Sequence, residues 1–174
     1  KGTAEVRYNY KIGHNQHLVG RMMAGAIYSY GNARISPYNE QFYIGGANSL
    51  RAFTIRSIGP GRYHPEENNT YSYLDQTGDL KFEANLEYRF PILGDLHGAA
   101  FIDTGNIWLI RNDDQRPGGQ LKWGRFLKDL ALDAGVGLRY DLTFIVIRLD
   151  MGIPLHVPYE TDKNGYFNVP KYTP

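Results

Sequence analysis

The sequence contains no cysteine. That excludes a disulfide scaffold, thiolate zinc sites and thiol nucleophiles, and it leaves the redox compartment open. Long hydrophobic runs are missing as well: nothing approaches the roughly 18 apolar residues that a transmembrane helix requires. No helical periodicity extends beyond about two turns. Charge of one sign is also lacking, since 19 Lys and Arg stand against 18 Asp and Glu for a formal net charge of +1. Without a basic excess there is no argument for nucleic acid as a partner. None of these absences excludes strands that cross a bilayer, because a strand needs only every second residue to be apolar.

The chain is rich in glycine and tyrosine, 20 and 14 of its 174 residues, and above all in two-residue alternation. From Thr3 to Ile12 the even positions are Ala4, Val6, Tyr8, Tyr10 and Ile12, and the odd ones are Thr3, Glu5, Arg7, Asn9 and Lys11. From Leu80 to Phe90 the apolar set is Leu80, Phe82, Ala84, Leu86, Tyr88 and Phe90, opposite Lys81, Glu83, Asn85, Glu87 and Arg89. From Leu130 to Tyr140, Leu130, Leu132, Ala134, Val136, Leu138 and Tyr140 oppose Ala131, Asp133, Gly135, Gly137 and Arg139. From Ile145 to Ile153, Ile145, Ile147, Leu149, Met151 and Ile153 oppose Val146, Arg148, Asp150 and Gly152. Period 2 marks strands with one apolar face. Two less regular strands are expected over His17 to Tyr30 and His97 to Leu109. The fold class is therefore all-β, an antiparallel meander of about six strands.

A soluble antiparallel sheet also alternates, so the faces alone do not decide. The connections carry more. Gly13–Gln16, Pro91–Asp95 and Asp141–Thr143 are short, whereas 32–79, 110–129 and the tail from Pro154 are long. Short and long alternate strictly, as in outer-membrane barrels with short periplasmic turns and long outer loops. Loops this long are uncommon in compact domains. Strand lengths of about 9–11 residues suit a tilted crossing, and Tyr8, Tyr10, Tyr28, Tyr30, Tyr88, Phe90, Trp108 and Tyr140 lie near strand ends, as an interfacial aromatic girdle would. The polar face carries Glu5, Arg7, Lys11, Arg21, Lys81, Glu83, Glu87, Asp103, Asp133, Arg139, Arg148 and Asp150. So many charges imply a wide, wet lumen, and six strands are too few to enclose one. The chain reads as one part of a larger barrel.

Few residues suggest chemistry. His14 and His17 share a turn and read as solvated rather than zinc-bound. Ser49 has no local triad partners and no nucleophile elbow surrounds it. Glu66–Glu67 and Asp113–Asp114 read as solvated acidic pairs rather than calcium ligands. No catalytic residue, cofactor or metal is expected. The long loop does contain Phe42-Tyr43-Ile44-Gly45-Gly46-Ala47-Asn48-Ser49-Leu50-Arg51-Ala52-Phe53. Its glycine pair marks a tight turn or a close backbone approach. It is not a phosphate loop, since no Lys-Ser/Thr follows. Taken alone, Arg51, Glu87 and Asp103 read as three solvated charges.

With these residues in view, the chain resembles the C-terminal barrel of the bacterial surface antigen superfamily, the BamA/TamA type of outer-membrane assembly and translocation proteins. Gly45, Gly46, Ser49, Arg51 and Phe53 match the GG-x-x-S-x-RGF-like motif of that family's large loop, with Ala52 where the family usually has Gly. The segments Gly78–Pro91, Phe101–Trp108 and Ala134–Tyr140 resemble the strands that follow. The resemblance implies that residues 1–174 are the C-terminal part of a sixteen-stranded transmembrane β-barrel, strands ten to fifteen, with loop 31–79 folded into the lumen. On that reading the N-terminal barrel strands and the POTRA domains lie outside the chain. It further implies that Arg51 meets Asp103 and lies near Glu87 on the inner wall.

The implied function is non-enzymatic: assembly, insertion or translocation of proteins at the bacterial outer membrane. The implied partners are the outer-membrane lipid bilayer, client outer-membrane or secreted proteins, and accessory lipoproteins or periplasmic factors. The alternatives are a passive porin-like or structural barrel, and a soluble β-barrel binding protein. The tail after Ile153, with Pro154, Pro158, Pro170 and Pro174, does not read as a final strand, since proline interrupts ladder pairing.

Overall fold

The computed structural model describes residues 1–30, 36–65, 72–142, 144–161 and 165–166. The Glu66–Glu67 pair, Thr143, Pro170 and Pro174 lie outside the described residues. Six strands follow one another: β1 (Gly2–Gly13), β2 (Gln16–Ala26), β3 (Leu80–Leu93), β4 (Leu96–Trp108), β5 (Ala131–Asp141) and β6 (Val146–His156). They form one antiparallel sheet in the order β1-β2-β3-β4-β5-β6. The sheet is open, and β1 and β6 each pair on one side only.

The register follows from the two faces. Val6 pairs with Met22, Met22 with Ala84, Leu86 with Ile102 and Val136 with Met151, so apolar positions run across the strands on one side. That side is open to the surroundings: Val6, Tyr8, Met22, Leu86, Ile102, Val136, Leu149 and Met151 are all exposed. Such a wide apolar face is the lipid-contacting band of a barrel wall rather than the outside of a soluble protein. No helix among the described residues is long and apolar enough to cross a membrane, and strands that satisfy their backbone groups laterally do the crossing instead.

Three boundaries differ from the sequence expectation. β2 stops at Ala26 instead of Tyr30, because Ile27 leaves the ladder, donates to the Asp79 carbonyl at 2.8 Å and becomes buried. β3 runs through Pro91 to Leu93, with a register shift between Pro91 and Leu93, so the turn is only Gly94 and Asp95. β6 runs through Pro154 to His156, with the register shift at Leu132 and Asp133 of β5. β6 pairs only with β5, and an edge strand at a bulge tolerates a residue with no N–H.

The buried core is not between two sheets. It lies where the 27–79 connection folds onto the concave face: Ile44 and Leu50 are fully buried, with Phe42, Phe53 and Ile58 beside Ile27, Ile107, Ala131 and Val157. Small residues make room for it. The Phe42 ring sits where a Cβ on Gly25 would be, 2.6 Å away, and Ile44 occupies the space over Gly105. A 3-10 stretch, Trp123–Asp129, instead lies on the outward face. There Phe126 stacks 5.2 Å from Trp108 and meets Phe82 edge-on at 5.5 Å.

Candidate functional site

The loop tip over 44–56 is shaped by its own backbone. Gly45 and Gly46 have φ of 103° and 92°, a region that an L side chain rarely enters. A Cβ on Gly45 would lie 2.1 Å from the Thr54 carbonyl oxygen, so the two limbs of the turn approach more closely than any side chain permits. Gly46 donates to Phe53 O at 2.8 Å, Ser49 N to Gly46 O at 2.9 Å and Arg56 N to Ile44 O at 2.9 Å. Leu50 and Phe53 then point into the core, which leaves Ser49 and Arg51 facing the wall.

Arg51 is held as a fork. Its Nε donates to Asp103 Oδ2 at 2.7 Å and its Nη2 to Asp103 Oδ1 at 2.8 Å. Its Nη1 donates to Glu87 Oε2. The guanidinium lies 3.5 Å over the Phe101 ring, and that ring in turn fills the space over Gly135. The side chains of Arg51 and Asp103 are 7% and 0% exposed. A bidentate Arg–carboxylate pair stacked on an aromatic ring fixes orientation in a way that Lys cannot reproduce.

The network extends beyond these three residues. Asn85 faces Asp103 across the β3–β4 ladder and donates to both Asp103 Oδ1 (2.9 Å) and Ser49 O (2.8 Å). Ser49 Oγ accepts from Gly45 N at 3.0 Å and donates to buried Glu83. Glu83 also receives Lys81 at 3.0 Å and Arg21 at 3.3 Å. Glu87 is shared by Arg51, by Arg89 at 2.7 Å and by Arg139 at 3.0 Å. Ala52 N donates to Asp133 at 3.3 Å, and Asp133 pairs in register with Asp103. At the tip, Asn48 O accepts from Arg21 of β2 at 3.0 Å, while its Oδ1 accepts from Arg148 of β6 at 2.8 Å.

The structure thus brings Gly45, Gly46, Ser49, Arg51, Phe53, Glu87 and Asp103 into one assembly on the concave face. Sequence reading missed Phe101, Asn85 and Asn48 as members. Arg21, Glu83, Arg139 and Arg148 stood in the polar-face pattern, which gave their side of the sheet but not their partners. His14 and His17 stay apart from the assembly, and His17 faces Asn9 at 3.1 Å. Asp113 pairs with Arg116 at 2.8 Å; these opposing pulls, burial raising its carboxyl and Arg116 lowering it, leave it below the ordinary carboxylate range. No cluster of three or more potential metal ligands occurs among the described residues. The arrangement has the chemistry of a fastening: its carboxylates and guanidinium groups are paired with one another, although Asp133 Oδ1 and Arg139 Nε are buried without a hydrogen-bond partner.

A family profile described as the Omp85 superfamily domain matches residues 1–169. The chain belongs to the Omp85 superfamily. Among curated relatives, this Omp85 chain is 29% identical over 157 residues to the outer membrane protein assembly factor BamA of Nitratidesulfovibrio vulgaris (strain Hildenborough). That match covers 89% of this chain and 18% of the relative. Among solved structures, the BamA of Haemophilus ducreyi lacking POTRA domains 1–3 superposes with a TM-score of 0.63 at 16% identity, over 95% of this chain and 32% of that one. The Omp85 sheet described above is accordingly an arc of an outer-membrane β-barrel, and its exposed apolar face is the one that meets lipid.

Proposed function

We propose that this chain forms the C-terminal wall and the large inward loop of an outer-membrane assembly barrel of the BamA/TamA type, whose wall comprises sixteen strands. The observation that carries the reading is the seating of Arg51 on Asp103 and Glu87, with the tip strapped to β2 and β6 through Asn48. The role is mechanical and not catalytic. Arg51, Asp103 and Glu87 hold the loop in the lumen, and the loop sets the curvature of the wall on which client strands are folded. Client outer-membrane proteins would be its substrates, with accessory lipoproteins or periplasmic factors attached elsewhere on the full-length protein.

The test uses the full-length protein in proteoliposomes with an unfolded client barrel. Arg51→Ala should slow client assembly at least tenfold while the barrel itself still migrates as a folded species. Assembly at the wild-type rate with a visibly detached loop would overturn the role of the loop. Ion conductance without any client assembly in the wild-type protein would place the barrel among passive pores.

A further inference from the structure

The residues 121–130 lie on the outward face at the end of the sheet that carries the long connections. Phe126 anchors the segment on Phe82 and Trp108. Its neighbours project away from the protein: Trp123 is 81% exposed and Leu127 79%. Arg125 stands between them and Lys122 and Lys128 flank them, all three exposed. Trp and Leu flanked by basic residues beside an apolar band form the pattern of a segment lying in a membrane interface. In water the same exposure would be unfavourable for two large apolar side chains.

Two hollows lie nearby, and only the first is lined by the segment's own residues. One, of about 730 Å³, is lined by Arg125, Lys128, Leu127, Leu130 and His156. The other, of about 480 Å³, is a trough on the lipid-facing band among Tyr8, Met22, Leu86 and Ile102, opened by Gly20 and Ala84. Thr104 and Leu132 line both. Of the acids nearby, buried Asp129 lies 4.0 Å from Nε of Arg62 and of Arg125, and Glu160 pairs with Arg62 at 3.5 Å. Lys122 and Lys128 have no acidic partner within 4 Å among the described residues.

We propose that this rim holds an anionic, phosphate-bearing lipid of the outer leaflet, its headgroup against Lys122, Arg125 and Lys128 and its chains in the trough past Thr104 and Leu132. Charge complementarity selects the headgroup, and a trough on the lipid-facing band that shares Thr104 and Leu132 with the basic hollow favours a lipid over a soluble phosphate. The long connections of such barrels face outward, which places the segment at the outer leaflet.

The experiment reconstitutes the full-length protein in phosphatidylcholine discs containing a minor fraction of phosphatidylglycerol as the anionic probe. Lipids that remain bound on release are then counted by native mass spectrometry. The wild type should enrich phosphatidylglycerol over the bulk. A basic residue near an anionic surface contributes roughly fivefold. The triple variant K122Q/R125Q/K128Q should therefore lose on the order of a hundredfold in retention. Trp123→Ala with Leu127→Ala should weaken retention while keeping the preference for the anionic lipid. High salt should release the probe from the wild type, a readout that needs no variant to fold. Equal retention by wild type and triple variant, or no enrichment by the wild type, would overturn the proposal. So would discs holding dimers whose formation requires Trp123, since the face would then be a protein interface.

Discussion

Ala52 at the loop tip packs directly on Gly152 of β6: a Cβ on Gly152 would lie 3.0 Å from the Ala52 Cβ and 3.3 Å from its Cα and nitrogen. Ala52 thus brings a methyl group to this contact, and the wall opposite has none. Gly152→Val should push the tip off the wall, at the roughly 1–3 kcal/mol typical of overpacking. Ala52→Gly in the same chain should recover much of that. Denaturant unfolding of the full-length barrel in detergent, with both single variants and the double variant, reads out the coupling. Simple additivity would show that the two residues do not share the space.

The Arg51–Asp103 pair makes a second test. Removing one partner of a buried pair strands the other, at roughly 3–5 kcal/mol. Arg51→Ala and Asp103→Ala should each cost on that order, and the double variant should fall short of their sum by about 0.5–3 kcal/mol. Arg51→Lys should rescue little, because an ammonium cannot span both oxygens of Asp103 while lying flat on Phe101. The same unfolding assay applies, and a double variant equal to the sum would contradict the pairing.

Two glycines with positive φ should respond very differently to alanine. Gly94, at φ 54°, has nothing within 4 Å of a Cβ, whereas Gly45, at φ 103°, has the Thr54 carbonyl at 2.1 Å. Gly94→Ala should cost no more than the roughly 1–2 kcal/mol of the left-handed conformation. Gly45→Ala should cost clearly more and should release the loop tip. Protease sensitivity of the loop in the folded barrel distinguishes local release from global loss of stability. Equal effects at the two sites would remove the close-approach argument.

The outward face predicts a depth profile. Val136, mid-strand in β5 and 55% exposed, should sit near the bilayer midplane, while Ile147 lies by the short turn. Val136→Arg should cost roughly 2–4 kcal/mol in a lipid refolding equilibrium, and Ile147→Arg about 0–1 kcal/mol. Reversal of that order would mean that the face does not meet the bilayer as described.

Four strands were legible in the sequence because one face contacts lipid and the other charge, which gives a period-2 signal; β2 and β4, with their glycines and adjacent apolar residues, carried it less regularly. Boundaries were less legible where two influences met. Ile27 continues the apolar pattern but is drawn to Asp79 and into the core. Pro154 looks like a stop, yet it stands on an edge strand opposite a register shift, where a missing donor matters little. At the site, Arg51 and Asp103 are 52 residues apart, and Arg148 and Ala47 are 101 apart. No local spacing encodes such contacts. Arg51, Asp103 and Glu87 came together only through the family resemblance, and the partners of Phe101 and Asn85 follow from register across β3 and β4, which the alternation alone does not give.

The double hold on Asn48 has a geometric consequence. β2 and β6 are four strand spacings apart along the sheet, about 19 Å of arc at roughly 4.8 Å per spacing. One asparagine nevertheless touches both strands through Arg21 and Arg148. Asn48 therefore marks a chord across an arc, and the length of a chord fixes the radius of the arc it closes. Any widening of the barrel would lengthen that chord and load the hydrogen bonds from Arg21 and Arg148 to the tip. The loop tip is in this sense a gauge of the circumference.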